Sequence, residues 1–268
     1  MDAAGDSARA DSFDTTVLWR SFVEQAGARP GQVAVSTLQG EMTFDVLGRT
    51  AESLARRLSA SGIPGGSLVA LALPNSLAFT PTLLALFRLS VTAALVSTRY
   101  RESELRSVAR NARPLALITT DAYARTLQQS IPVRCIQSVS TPETGELLLV
   151  FPSEPDNAAT GTAGGLARTE ERRAALVKIT SGSTGTPKGI ALTASNLLAE
   201  AQNVIATLGI EPGERIHAPV PLFHSYGFDL GLLPMLYGGA SLILRDVFVP
   251  RRTLDELARG DTALFLGV

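Results

Sequence analysis

The sequence predicts an α/β fold with mainly parallel sheets layered by helices, and three observations carry that expectation. Residues 68–73 (LVALAL) form a near-continuous apolar run, as a strand buried on both faces of a parallel sheet requires. Short apolar runs alternate with stretches of helical periodicity: helix 76–89 precedes strand 93–96, and helix 102–111 precedes strand 115–119. Leu47, Ala51, Leu54, Ala55 and Leu58 form a stripe at the spacing of an amphipathic helix.

In chain order, residues 1–15 are polar and acidic and read as a disordered leader. Val17, Leu18, Phe22 and Val23 place a helix over 17–26. Val33 and Val35, then 42–44, read as two short strands joined by a turn at Gln39-Gly40, and Asp45 is expected to cap the striped helix that ends near Gly62. Residues 152–173 are rich in Pro, Gly, Ala and charge and read as a surface linker. It divides 16–268 into subdomains 16–151 and 174–268. Beyond it come strands 176–180 and 189–193, helix 195–208, a strand ending at Pro219, a helix around 230–237 and a strand at 240–244. The closing run DTALFLGV reads as a strand with nothing after it to cover the sheet edge, so the sequence is expected to be cut off there.

The 268 residues suffice for one large domain or two small ones. A net charge of −1 supplies no basic surface for nucleic acid or a membrane, so an anionic ligand must be held by local geometry. The basic residues are almost all Arg; Lys178 and Lys188 are the only lysines. A lone cysteine, Cys135, excludes an internal disulfide and a multi-Cys metal site, and is expected as a buried small apolar residue. The N-terminus has no positively charged start followed by an apolar stretch, so it does not read as a signal peptide. The longest apolar region, 81–96, is interrupted by Arg88 and parses as helix then strand rather than a membrane span. A cytoplasmic location is expected.

Residues 180–189, TSGSTGTPKG, carry the chemistry. Gly182, Gly185 and Gly189 allow close backbone approach to a ligand. Thr180, Ser181, Ser183, Thr184 and Thr186 supply hydroxyl donors, and turned amides can form an anion-binding nest. Lys188 adds a point charge and Pro187 restricts the backbone. Dense small donors with one cation suit a polyphosphate. A Walker A loop needs GxxxxGK[ST] between strand and helix; here Pro187 precedes the lysine, Gly189 follows it, and both flanks are β-like. A flexible Ser/Gly turn with a solvated lysine is the bland alternative, and the order of glycines, hydroxyls and Pro-Lys-Gly argues against it.

This stretch resembles the signature loop of the adenylate-forming (AMP-binding) superfamily, most like an acyl-CoA synthetase or fatty-acid–CoA ligase. MTFDVLGRTAESLARRLSASGIPGGSLVALALPNS resembles the family's opening helix, strand and LPNS segment, and AALVSTRYRESELR its next block. ALTASNLLAE is similar to the helix after the loop, and PLFHSYGF to the aromatic-histidine segment. The resemblance implies a two-step ligase that uses ATP and Mg²⁺. A carboxylic acid becomes an acyl-adenylate with release of pyrophosphate, and the thiol of CoA or of carrier-protein phosphopantetheine then takes the acyl group. It implies that Thr180, Ser181, Gly182, Ser183, Thr184, Gly185, Thr186, Lys188 and Gly189 bind the phosphates, with Lys188 and Thr184 acting in catalysis. It implies that His224 orients the acid where the acyl pocket meets the nucleotide site, while Tyr226 and Phe228 serve as pocket wall or core.

His217, with no partner in view, reads as structural. Ala194 departs from the family, which often has histidine there. No residue is assigned to a metal. Family segments that hold Mg²⁺, adenine and ribose, and the small C-terminal domain, have no counterpart in these residues. The chain is therefore expected to be an N-terminal portion, inactive or weakly active alone, completed by a C-terminal portion or a partner chain. A peptide-synthetase adenylation domain fragment and a non-catalytic half are the alternatives.

Overall fold

The structure, a computed structural model, describes residues 15–153, 174–180 and 188–267, apart from the side chain of Thr180. Residues 1–14 of the expected leader, most of the expected linker and residues 181–187 of the signature lie outside the described residues. Thr15 is buried and donates its hydroxyl to Phe87 O at 3.0 Å.

The chain opens with α1 (Thr16–Ala28), β1 (Val33–Ser36), β2 (Glu41–Thr43) and α2 (Phe44–Ala60). The cap of α2 is Thr43, not Asp45: the Thr43 hydroxyl accepts from Val46 N at 3.3 Å. Thr43 sits in extended backbone, the conformation a capping side chain needs, whereas Asp45 lies in the first turn and pairs with Arg49. β3 (Leu68–Ala72), α3 (Phe79–Arg88), β4 (Thr92–Leu95), α4 (Glu102–Ala112) and β5 (Ala116–Thr119) follow the predicted alternation. Next come α5 (Asp121–Ser130) and a hairpin of β6 (Val133–Thr141) and β7 (Gly145–Pro152).

After residue 174 come β8 (Leu176–Thr180), β9 (Lys188–Leu192), α6 (Ala194–Leu208) and β10 (Arg215–Ala218). The predicted helix at 230–237 is longer and compound, running from α7 (Ser225–Gly227) through a π-turn over Phe228–Leu232 into α8 (Leu233–Gly238). β11 (Ser241–Leu244), α9 (Pro250–Leu257) and β12 (Leu264–Phe265) complete the described chain.

Two sheets result. The larger has the order β6-β7-β5-β3-β4-β8-β9, parallel across β5-β3-β4-β8 and antiparallel at both ends. The smaller has the order β12-β10-β11-β1-β2, parallel except for β1–β2. Each sheet draws strands from both sides of residues 152–173, so neither corresponds to one stretch of sequence.

Alternation along the central strands assigns the layers. Val69, Leu71, Ala93, Leu95, Ala116, Ile118 and Leu176 face the main core, which they share with α1, α2, α3, α6 and α8. Ala70, Ala72, Ala94, Val96, Leu117 and Val177 face a second core under α4 and α5. Burial on both faces explains why residues 68–73 read as continuously apolar. Cys135, expected to be buried, is half-buried on β6 and packs at the margin of the main core.

Candidate functional site

Three sequence segments singled out for function begin at the carboxyl ends of parallel strands, where α/β sheets place their ligands. LPNS leaves β3, residues 181–187 leave β8, and PLFHSYGF leaves β10.

Asn75 joins two of these exits. Its Nδ2 donates to Val220 O at 2.8 Å and to Arg245 O at 3.0 Å, and its Oδ1 accepts from Leu222 N at 2.9 Å. One 9 %-exposed amide therefore ties the end of β3 in the large sheet to the ends of β10 and β11 in the small one. Beside it opens a cleft of about 510 Å³ lined by Pro74, Ser76, Thr120, Arg245 and Arg252.

The signature's flanks are antiparallel neighbours: Thr180 pairs with Lys188, and Ile179 with Gly189. Between these flanks the sequence holds Ser181, Gly182, Ser183, Thr184, Gly185 and Thr186. Those six candidates lie outside the described residues. Of the rest, Lys188 is exposed and Gly189 half-buried at the start of β9. α6 follows at once, entered through a reciprocal cap in which Asn196 N donates to Thr193 Oγ1 and Thr193 N to Asn196 Oδ1. Ala194 is its first residue and is only 3 % exposed, part of the core.

His224 is exposed and caps α7, its Nδ1 accepting from Tyr226 N at 3.4 Å. With Nδ1 accepting, a proton on Nε2 makes that nitrogen a hydrogen-bond donor. The backbone around it is held closely. His224 N donates to Pro221 O at 3.1 Å, and Phe228 N donates to His224 O at 3.0 Å. Gly227 is required by space rather than by φ: a Cβ there would lie 2.6 Å from Pro221 O and 3.0 Å from Val220 O. These are backbone atoms and cannot swing aside. Gly227→Ala is expected to cost about 2–3 kcal/mol, read as a lowered urea midpoint; a loss within about 0.5 kcal/mol would show that the segment yields easily. Phe228 is buried in the core, and the Tyr226 hydroxyl donates to Gly267 O at 3.2 Å.

His224 and the signature strands are linked by two residues that sequence reasoning gave no role. Lys178 of β8 forms an ion pair with Asp229 of the π-turn, and its ammonium lies 5.0 Å from the Phe228 ring centroid. A charge in the middle of the buried strand LVKIT was the available signal, since buried ammonium groups require a partner. His217, read as structural, is fully buried and has a partner after all: its Nε2 lies 2.7 Å from Glu256 Oε2 on α9, an element not predicted. Among the described residues no three His, Cys, Asp or Glu side chains cluster as a metal site, and no helix is long and apolar enough to cross a membrane.

The chain belongs to the AMP-binding enzyme family, which matches residues 22–268. It is 29% identical to the medium-chain fatty-acid–CoA ligase of Escherichia coli K12, over 98% of this chain and 46% of that protein. It is 31% identical to novobiocin biosynthesis protein H of Streptomyces niveus, over 87% of this chain and 38% of that one. The chain thus spans about half the length of such relatives, or less. In fold it resembles o-succinylbenzoate CoA synthetase of Bacillus subtilis in complex with ATP and magnesium, with a TM-score of 0.70 at 22% identity, covering 91% of this chain and 62% of that one.

Proposed function

We propose that this chain forms part of an ATP-dependent acid–thiol ligase of the acyl-CoA synthetase type. The observation that carries the reading is the TSGSTGTPKG signature, set between antiparallel strands at a sheet edge and tied through Lys178 and Asp229 to the segment that bears His224. In the first step a carboxylate oxygen attacks the α-phosphorus of ATP. The bond from that phosphorus to the bridging oxygen breaks, and its electron pair leaves with pyrophosphate. Negative charge grows on the departing phosphates, so fixed donors and a cation in place before reaction lower the barrier. Thr180, Ser181, Gly182, Ser183, Thr184, Gly185, Thr186 and Gly189 supply the donors and Lys188 the cation, with Thr184 and Lys188 nearest the chemistry. Mg²⁺, when bound with ATP, would neutralise further phosphate charge; no described residue is assigned to it. His224 orients the acid through its ring N–H. In the second step a thiolate attacks the acyl carbon and AMP leaves.

A fatty or other acyl acid is the preferred substrate class, with CoA the preferred acceptor over a carrier-protein thiol, since the fatty-acid–CoA ligase matches nearly the whole chain. A peptide-synthetase adenylation domain is the second reading, favoured by a 28% identical match over 91% of this chain to the nonribosomal peptide synthetase ungA' of Aspergillus campestris. A single cysteine fits a reducing, cytoplasmic site of action.

Calorimetric titration with MgATP, together with pyrophosphate exchange in the presence of fatty acids, tests the reading. The chain alone should bind MgATP, Lys188→Ala should weaken that binding about tenfold or more, and exchange should be weak or absent. Unchanged binding by the Lys188→Ala chain would remove the phosphate role. Robust exchange by this chain alone would refute the need for further residues.

A further inference from the structure

We infer that Lys178 and Asp229 are a positioning pair: they fix the distance and rotation between the strand that leads into the signature and the segment that carries His224. The inference rests on the functional reading above for its consequence, while its geometry stands independently.

The two residues are 51 positions apart and come from different layers. Lys178 lies in β8 between β4 and β9, in register with Leu95 and Ile190, two residues before the strand ends at Thr180. It is 8 % exposed, and the alternation of β8 puts it on the same face as Leu176, toward the main core. At that position an apolar side chain would avoid the desolvation that a buried ammonium suffers. What the ion pair adds is direction, because its two heads meet at one separation and from a narrow range of angles.

Asp229 is well placed to transmit that constraint. It sits in the π-turn Phe228–Leu232, where the wider helical turn resets the rotation of the residues that follow. Phe228 lies beneath the same ammonium, so Lys178 grips two consecutive residues. Toward the N-terminus the chain has little freedom to absorb a shift. Phe228 N is bonded to His224 O, and Gly227 packs against Pro221 O with no space for a Cβ. A displacement at Asp229 is therefore passed to His224, and the other end of the pair belongs to the strand that ends where Thr180 faces Lys188. The pair holds the acid-orienting histidine at a set place relative to the phosphate-binding lysine.

The test uses the full chain carrying Lys178→Met, Asp229→Leu, both together, or Asp229→Asn, each followed by thermal unfolding, amide hydrogen exchange and MgATP titration. Asp229→Leu leaves the buried Lys178 ammonium alone and Lys178→Met leaves the part-buried Asp229 carboxylate alone, and each should lower Tm by about 10 °C. The double change removes both charges and should regain most of that loss. Even so, amides of 222–232 and 188–192 should exchange about tenfold faster than in the parent, and MgATP should bind about tenfold more weakly, because apolar packing replaces stability but not direction. Should the double variant fail to regain Tm, Asp229→Asn decides: it keeps the size and one acceptor oxygen, and faster exchange confined to 222–232 supports the pair as a positioner. Exchange within twofold of the parent in those segments, or acceleration spread evenly over the chain, overturns the inference. Absence of MgATP binding by the parent chain defeats the functional reading instead and leaves the exchange result to decide this one.

Discussion

Asn75→Ala is expected to lower folding stability by about 3–5 kcal/mol. The side chain makes three hydrogen bonds to main-chain groups, and truncation strips that partner from Val220 O, Arg245 O and Leu222 N together. A buried main-chain group left without a partner costs about 1–3 kcal/mol, and water entering from the adjacent cleft recovers part of it. Against a typical total of about 5–15 kcal/mol, such a loss would leave a large fraction of the chain unfolded on mild warming. Asn75→Asp should fare little better. It keeps an acceptor for Leu222 N but turns a second carboxylate oxygen toward two carbonyls that need a donor. Urea denaturation checks both variants: the midpoint should fall with the m-value unchanged. A loss below about 1 kcal/mol for Asn75→Ala would mean that the two sheets are held in register by apolar packing alone.

Asn75 also marks where the sequence stops being informative. It was visible as part of LPNS, yet its partners lie 145 to 170 residues away, and no local pattern points to them. Lys178 stood out as one of two lysines, but Asp229 lies on another layer and could not be paired with it from spacing. The parallel strands were legible because burial on both faces leaves only apolar residues, as in LVALAL. The β6–β7 hairpin was not, since VRCIQSVST mixes half-buried and exposed positions at the margin of the sheet. α9 was missed for a related reason: of its residues only Thr253 is buried, so it offers no apolar stripe, and with it went the partner of His217. The signature was legible as chemistry because its residue types and order carry the signal without help from tertiary structure.

Glu256→Gln is the second large effect expected, and it has a pH signature of its own. Glu256 receives Arg245 through three hydrogen bonds of 2.8 to 3.1 Å and faces fully buried His217 on its other side. Burial pushes its carboxyl up, but the hydrogen bonds from Arg245 and His217 and their charges outweigh burial and hold it below the usual carboxylate range. A carboxylate lowered in the folded state contributes stability that is fully present above its unfolded value, about 4.3, and that is lost as pH falls through the folded value. Neutralising it leaves the nearly buried Arg245 guanidinium without its counter-charge, at a cost of about 3 kcal/mol near neutral pH. The gap between parent and Glu256→Gln should therefore be widest around pH 6–7 and should narrow steadily below about pH 4. Denaturation midpoints measured across pH 3–7 decide it, and a gap that stays constant to pH 3 would show that the carboxylate's charge contributes nothing. Arg245 also links this cluster to Asn75, because its carbonyl accepts from the Asn75 amide while its guanidinium holds Glu256. Losses from Asn75→Ala and Glu256→Gln should for that reason sum to less than their separate values when combined, since either change already frees the same residue.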